Sequence, residues 1–292
     1  MDRTNLPVVT LDRLNAYRAD TFRARGHLRL TSARQAVDFV NQRGFIFFWP
    51  IKGVTMPSLW VAAAGDRPVP DEHDDPGHVT WGWKDDMLPK RVWFYTRMLR
   101  KRNTIISLQT IPHFYALSPN YGSPEEDYLI EYDEGRMPLE TKMVYEALLK
   151  EGPLDTLALR RAARLAGSSS TTAFNRALET LQVDLRILPV GVSQSGAWHY
   201  CFIYDLVHRH YPDLIQQAQP ISEHDARRTL LMQYFESVGA ATAAEANRLF
   251  GWRMEDTARA LDKLTQAGKL VGGVEVVGSK HPHWAVPEIV EG

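Results

Sequence analysis

Two aromatic stretches and one cationic stretch hold the side chains best suited to chemistry. In "RGFIFFWPIKG", residues 43 to 53, Phe45, Phe47, Phe48 and Trp49 crowd together ahead of Pro50 and Lys52. Such rings could stack on nucleobases, a contact worth roughly 1 to 3 kcal/mol per base. The plain alternative is a strand or helix edge in the core, ended by Pro50. If Phe45, Phe47 and Trp49 alternate away from Ile46 and Phe48, one set faces a cleft, and Trp49 is then the residue a ligand meets. The cationic stretch is "LPKRVWFYTRMLRKRN", residues 88 to 103. It carries Lys90, Arg91, Arg97, Arg100, Lys101 and Arg102 with no acid among them. Helical spacing would put Val92, Tyr95 and Leu99 on a packed face and Lys90, Phe94, Arg97 and Lys101 on the opposite one. A basic helix of this kind suits phosphate contact, and a solvated basic face is its bland counterpart.

These groups need elements to position them. Residues 139 to 152, "LETKMVYEALLKEG", repeat Leu139, Met143, Ala147 and Leu148 at helical spacing before Gly152-Pro153. A second helix, "TLALRRAARLAG", is expected to end at Gly167, and "SSSTT" offers N-cap hydroxyls to a third, "AFNRALETLQVD". "LRILPVG" and "AWHYCFIYDL" then read as a hairpin joined by "VSQSG". The order recurs in "EHDARRTLLMQYFESVG", "TAAEANRLFG", "RMEDTARALDKLTQAGK" and "LVGGVEVVGSKHPHWAVP". Three helices and a hairpin make the winged-helix plan. The expected fold is therefore α+β, with tandem winged-helix modules at 136 to 220 and 221 to 292. Residues 1 to 135 form a divergent N-terminal region, readable as a third such module, that contains the basic helix 88 to 103. The third helix of such a module usually enters the major groove. That places Ser169, Thr171, Asn175 and Arg176, with Ser168, Ser170 and Thr172, at one DNA surface, and Arg253, Thr257 and Arg259 at another.

Composition narrows the classes. Lys and Arg number 34 against 35 Asp and Glu, so nucleic-acid binding must come from local patches. No apolar run approaches the roughly 18 to 20 residues that span a bilayer. The N-terminal residues lack the layout of a signal peptide. A cytoplasmic protein without membrane contact is expected. Cys201, the single cysteine, reads as a buried strand residue. The His281 and His283 pair has no nearby acid or thiol to complete a metal site, and no phosphate-cradling loop calls for a cofactor.

The chain resembles the AlkZ/YcaQ type of winged-helix DNA glycosylase, which unhooks interstrand crosslinks, as a divergent AlkZ-related member. The resemblance rests on the helix and Gly at 31 to 44, "TWGWKDDMLP", "GPLDTLALRRAARLAG" and "ARRTLLMQYFESVGA". It implies double-stranded DNA, damaged at the target, as the partner. In the family, the segment matching "GFIFFWP" carries a Gln-x-Gln or Gln-x-Asp motif that positions water and stabilises positive charge on the sugar. Phe47 and Trp49 fall on those positions and can do neither. The family's Trp-Ala-His-Glu-Ala-like stretch matches Trp81 to Asp85, so its His and Glu are replaced as well. The resemblance thus implies DNA-binding architecture without the family's catalytic motif. An extruded base could stack on Phe47, Trp49, Trp81 or Trp83. Replacement chemistry could come from Asp38, Asp85 or Asp86 as a carboxylate, Gln109 as an amide, or Lys52 as an amine able to attack an opened sugar. A non-catalytic winged-helix regulator and a protein-interaction scaffold are the alternative readings.

Overall fold

The computed structural model describes residues 7–72, 74–120, 122–196 and 199–290. Strand β1 (Val8–Val9) precedes helix α1 (Leu11–Thr21), which is capped by the Thr10 hydroxyl. Helix α2 (Ala33–Arg43) starts at the Ser32 cap and stops at Gly44. Then come β2 (Phe45–Phe47), α3 (Leu59–Ala64), α4 (Val79–Met87), β3 (Phe94–Arg97), β4 (Asn103–Ile106) and α5 (Ile111–Tyr115). Strands β2, β4 and β3 form an antiparallel sheet in that order.

This sheet corrects the reading of residues 88 to 103, which form no helix. Aromatic and β-branched residues dominate "VWFYT" and "NTII", and they pair as two strands around a turn at residues 98 to 102. The side chains alternate as strand geometry requires, yet both faces are covered. Phe45, Phe47, Phe94 and Ile106 enter one core cluster, while Ile46, Phe48, Tyr95 and Ile105 enter another. A continuous apolar run is what a strand buried on both sides needs.

Helices α6 (Asp127–Asp133) and α7 (Leu139–Glu151) open the middle unit. Strand β5 (Leu154–Asp155), α8 (Thr156–Ala162), α9 (Thr171–Val183), β6 (Ile187–Ser193) and β7 (Cys201–Leu206) complete it, with sheet order β5-β7-β6. Ala197 and Trp198, expected in the second hairpin strand, lie outside the described residues. Val144, Leu148, Leu159, Phe174, Leu181 and Leu206 form its core. Helix α8 ends at Ala162, earlier than Gly167, and the Ser168–Ser170 stretch is a 3-10 turn whose hydroxyls do not cap α9. Cys201 is half-buried at the start of β7.

Short helices α10 (Val207–His210) and α11 (Leu214–Ala218) lead to α12 (Glu223–Val238), β8 (Ala240–Ala241), α13 (Ala243–Phe250), α14 (Met254–Gln266), β9 (Val271–Val276) and β10 (His283–Ala285). Thr242 and Glu245 form a reciprocal capping box at α13. The last sheet runs β1-β9-β10-β8, so the first described strand completes the C-terminal unit. Helix α1 follows it there: Arg18 donates to the carbonyls of Val238 and Ala240, both at 2.9 Å, and Tyr17 to that of Glu236 at 2.8 Å. Among the described residues, no helix is long and apolar enough to cross a membrane.

Gly239 closes α12 beneath α1 with φ at +77°, and a Cβ there would meet Tyr17 Cδ1 at 2.8 Å and Leu14 Cδ1 at 3.1 Å. Gly239→Ala combines a left-handed backbone with that contact. It is expected to cost about 1 to 3 kcal/mol, read as a lower urea midpoint at unchanged slope. An unmoved midpoint would show that α1 does not dock this closely.

Candidate nucleic-acid interface

The cations of residues 88 to 103 divide between the two ends of β3. Lys90 and Arg91 are exposed before its start, beside a cavity lined by His210 and Tyr211. Arg97, Arg100, Lys101 and Arg102 gather at the other end, around the β3–β4 turn. Arg100 and Lys101 sit there with φ at 55° and 56°, which side-chain-bearing residues rarely adopt. The contacts of the turn explain how it is held. Thr96 Oγ1 donates to the Gln182 carbonyl at 3.1 Å, and the Arg97 amide donates to Gln182 Oε1 at 3.3 Å. Lys101 Nζ pairs with Glu179 of α9 at 2.8 Å, and Arg100 Nη1 reaches the Arg248 carbonyl in the last turn of α13 at 3.3 Å. One turn thereby ties the N-terminal sheet to both other units.

A groove of about 420 Å³ lies beside it, lined by Trp49, Lys52, Arg97, Lys101, Arg102 and Glu179 among others. Arg97 and Arg102 make no ion pair among the described residues. Helix α9 borders the groove through Glu179, and its Asn175 and Arg176 are exposed, as are Ser169 and Thr171 at its approach. The Thr171 hydroxyl is partly used, donating to the Ser168 carbonyl and accepting from Arg160 Nη2, both at 2.9 Å. The corresponding residues of α14 are less available. Arg253 and Arg259 reach Asp256 at 3.1 and 3.4 Å, and Thr257 is fully buried.

Across the groove, Trp49 is half-buried, with its ring centroid 5.3 Å from Phe48 and 5.7 Å from Trp81. Trp49 and Trp81 also wall a second cavity of about 500 Å³ with Val69, Pro70, Asp71 and His78. The acidic loop that supplies Val69 to Asp71 is pinned by a two-pronged Arg67–Asp75 pair at 3.0 and 2.5 Å. Trp81 is 36% exposed, so a ligand has a ring face within reach. Two expected stacking residues do not reach the surface. Phe47 is 1% exposed inside the sheet, and Trp83 is 8% exposed on the buried side of α4.

The catalytic candidates scatter. Asp38 and Asp86 are exposed, and Gln109 is exposed on the turn after β4, past the end away from the groove. Lys52 lines the groove. Asp85 is held in an ion pair with a residue the sequence reading passed over, Lys84. Lys84 is 3% exposed, and its Nζ lies 2.8 Å from both Asp85 Oδ1 and Tyr200 Oη. Tyr200 in turn donates to Asp85 Oδ1 at 3.0 Å. The rings of Phe202, Trp81, Tyr200, Tyr95 and Phe48 surround the amine at 4.6 to 5.7 Å. Burial pushes its pKa below the usual lysine range, and Asp85 opposes the shift only in part. The i, i+3 spacing of Trp81 and Lys84 signalled a shared helix face, whereas Tyr200 and Phe202 arrive from over a hundred residues away.

Beyond the turn, a cavity of about 630 Å³ is lined by Arg100 and Asp184 together with Arg248 and Trp252 of the C-terminal unit. Burial, helped by nearby Glu131, pushes the Asp184 carboxyl up to about 6 against the pull of Arg186 and Lys101.

A model of the family described as "AlkZ related" matches residues 30–251. No curated protein matches the chain in sequence. Among solved structures it is similar to the DNA glycosylase AlkZ of Streptomyces sahachiroi, with a TM-score of 0.56 and 13% identity, over 96% of this chain and 71% of that one. At that identity the likeness is one of fold.

The raised Asp184 pKa has a definite sign. Its native form holds a proton up to about pH 6, whereas the unfolded carboxyl releases it near 3.8. Stability from this group therefore falls as pH rises between those values, and the ionised, buried carboxylate is a net cost above them. Asp184→Asn should raise the urea midpoint at pH 7.5 and leave it unchanged near pH 3.5. A variant that gains nothing at pH 7.5 would show that Asp184 is well solvated.

Proposed function

The chain belongs to the AlkZ-related family, and from that membership we propose that it is a tandem winged-helix protein that binds damaged duplex DNA without the family's Gln-based hydrolysis. The observation that carries the proposal is the convergence on one groove of unpaired Arg97 and Arg102, the exposed side of α9, and the half-buried Trp49. Helices α7, α8 and α9 with hairpin β6–β7 have the winged-helix order, and so do α12, α13 and α14 with β9–β10. In this plan the third helix reads the duplex. Helix α9 suits that role because Ser169, Thr171, Asn175 and Arg176 are exposed, while Asp256 engages the arginines of α14. Phosphates then lie along Arg97, Arg102 and Lys52, which fixes register without reading sequence.

Beside the phosphate path, the cavity of Trp49 and Trp81 offers ring faces to a base leaving the stack. Among the described residues its walls supply aromatic surface, His78 and Asp71, with no side-chain amide to hold a water against the sugar. Phe47, on the position where the family carries a polar group, is buried in the sheet and can polarise nothing. Binding without base excision follows. The solved AlkZ is a DNA glycosylase, and on this reading the present chain shares its fold and its kind of partner rather than its hydrolysis.

Phosphate binding makes affinity fall linearly in log[salt], with a slope of about 0.9 per neutralised phosphate. The Arg97→Glu, Arg102→Glu double variant should weaken duplex binding and flatten that slope by about two contacts. An unaltered slope would place the phosphate path elsewhere.

For the damage reading, binding of intact, alkylated and abasic duplexes is titrated beside a single-turnover excision assay on the alkylated and crosslinked ones. Tighter binding of the damaged duplexes, no released base, and loss of the preference in Trp49→Ala are expected. Released base would mean that another residue has taken over the missing motif. Equal affinity for all duplexes would favour a regulator without damage recognition.

A further inference from the structure

We propose that Lys84 is an imine-forming amine, with which the protein captures the ring-opened aldehyde of an abasic nucleotide and cleaves the strand on its 3′ side. This rests on the reading of the Trp49–Trp81 cavity as the seat of an unstacked nucleotide.

Three observations lead to it. Lys84 is the one lysine buried among the described residues, and burying an ammonium costs several kcal/mol even after relaxation. A purely structural plug in a cage of Phe48, Trp81, Tyr95, Tyr200 and Phe202 needs no charge, because an apolar side chain of similar volume often serves as well or better. A desolvated amine is, however, the form in which lysine attacks carbonyl carbon. The second observation is the partner set. Asp85 Oδ1 is 2.8 Å from Nζ and can accept its proton, and Tyr200 bridges the two as acceptor from Lys84 and donor to Asp85. The third is position. The Trp81 indole lines the cavity and its ring centroid lies 5.3 Å from Nζ, so the amine and the proposed nucleotide seat share that ring as a neighbour. For the amine to reach its target, that ring, which is 36% exposed, must swing aside when the nucleotide enters.

The chemistry balances with these groups. Asp85 takes a proton from the Lys84 ammonium, and the free amine adds to the C1′ aldehyde carbon, forming a C–N bond. The carbinolamine oxygen leaves as water on receiving that proton back, which gives an iminium. Asp85 then removes a C2′ proton. The electron pair passes through the enamine to expel the 3′ phosphate as the C3′–O bond breaks, leaving an unsaturated iminium that water hydrolyses. No metal, oxidant or external reductant is consumed.

The test uses the full chain and a duplex with one abasic site, treated with borohydride, which reduces the iminium to a stable secondary amine. We expect a covalent adduct on denaturing gels, with the modified peptide carrying the sugar on Lys84. Lys84→Arg, which keeps the cation, and Lys84→Met, which fills the cage, should both lose the adduct and the nick while still binding the abasic duplex. Binding by the unaltered protein without any trapped adduct would overturn the proposal, as would an adduct on another residue or one that persists in both variants. If the unaltered protein does not bind the abasic duplex at all, the reading of the cavity fails first, and this proposal with it.

Discussion

Burial of the β2–β4–β3 sheet on both faces is the constraint from which the rest of the structure follows. Phe45, Phe47 and Phe94 commit one face to the core shared with α5 and α12, while Ile46, Phe48 and Tyr95 commit the other to the core under α2 and α4. At about 1.5 to 3 kcal/mol for each fully buried large side chain, these six together contribute on the order of a typical domain's whole stability, so their packing holds the sheet in place. The ends of the sheet are therefore fixed in space. Trp49 must emerge where β2 gives out, and Arg97 and Arg102 must flank the turn between β3 and β4. The groove is a consequence of core packing before it is a feature of its own.

The turn then converts a sheet edge into a junction. Its contacts with α9 and α13 are made by Lys101 and Arg100, which spend part of their charge on Glu179 and the Arg248 carbonyl. Arg97 and Arg102 are left for a ligand. A similar division holds deeper in the molecule, where Arg186 and Glu131 pair at 3.0 Å with almost no exposure. Removing one partner of such a pair strands a charge in the interior, so the two tie α6 to the residues just before β6 within the middle unit. With a net charge of −1, the chain attracts an anion only where these structural uses leave cations over.

The sequence disclosed periodic and punctuated elements well. Helices ending at Gly44, Gly152, Gly239 and Gly251 were legible because each glycine takes a positive φ that closes a helix. The strand at 45 to 47 was legible as an alternation, but its doubly buried state was not, since nothing local says what covers the second face. Residues 88 to 103 misled because "KRVWFYTRMLRKR" fits a helical period as readily as a strand pair. Hairpin pairing of 94–97 with 103–106, itself bonded across the chain to 45–47, decided it. The same limit hid the Lys84 site. Trp81 and Lys84 share a helix face, but the tyrosine and phenylalanine that enclose the amine come from the hairpin of another unit. Ser168 to Ser170 erred the other way, since a run of hydroxyls looks like a cap even where the backbone turns before it can be used.

Lesion preference can arise from this arrangement without a catalytic amide. Extruding a paired base from an intact duplex costs a few kcal/mol, least where pairing is already lost. Stacking on Trp49 or Trp81 returns roughly 1 to 3 kcal/mol. The two nearly cancel for undamaged DNA, so on the proposed reading an intact duplex would be held by its phosphates alone. Where a lesion has removed most of the extrusion cost, the same stacking becomes a net gain of up to about two decades in affinity. On the proposed reading, exposed arginines set how tightly any duplex is held and how salt weakens it, and the half-buried rings set which duplex is held longest; only such a complex would keep a nucleotide beside Trp81 long enough to meet what lies behind it.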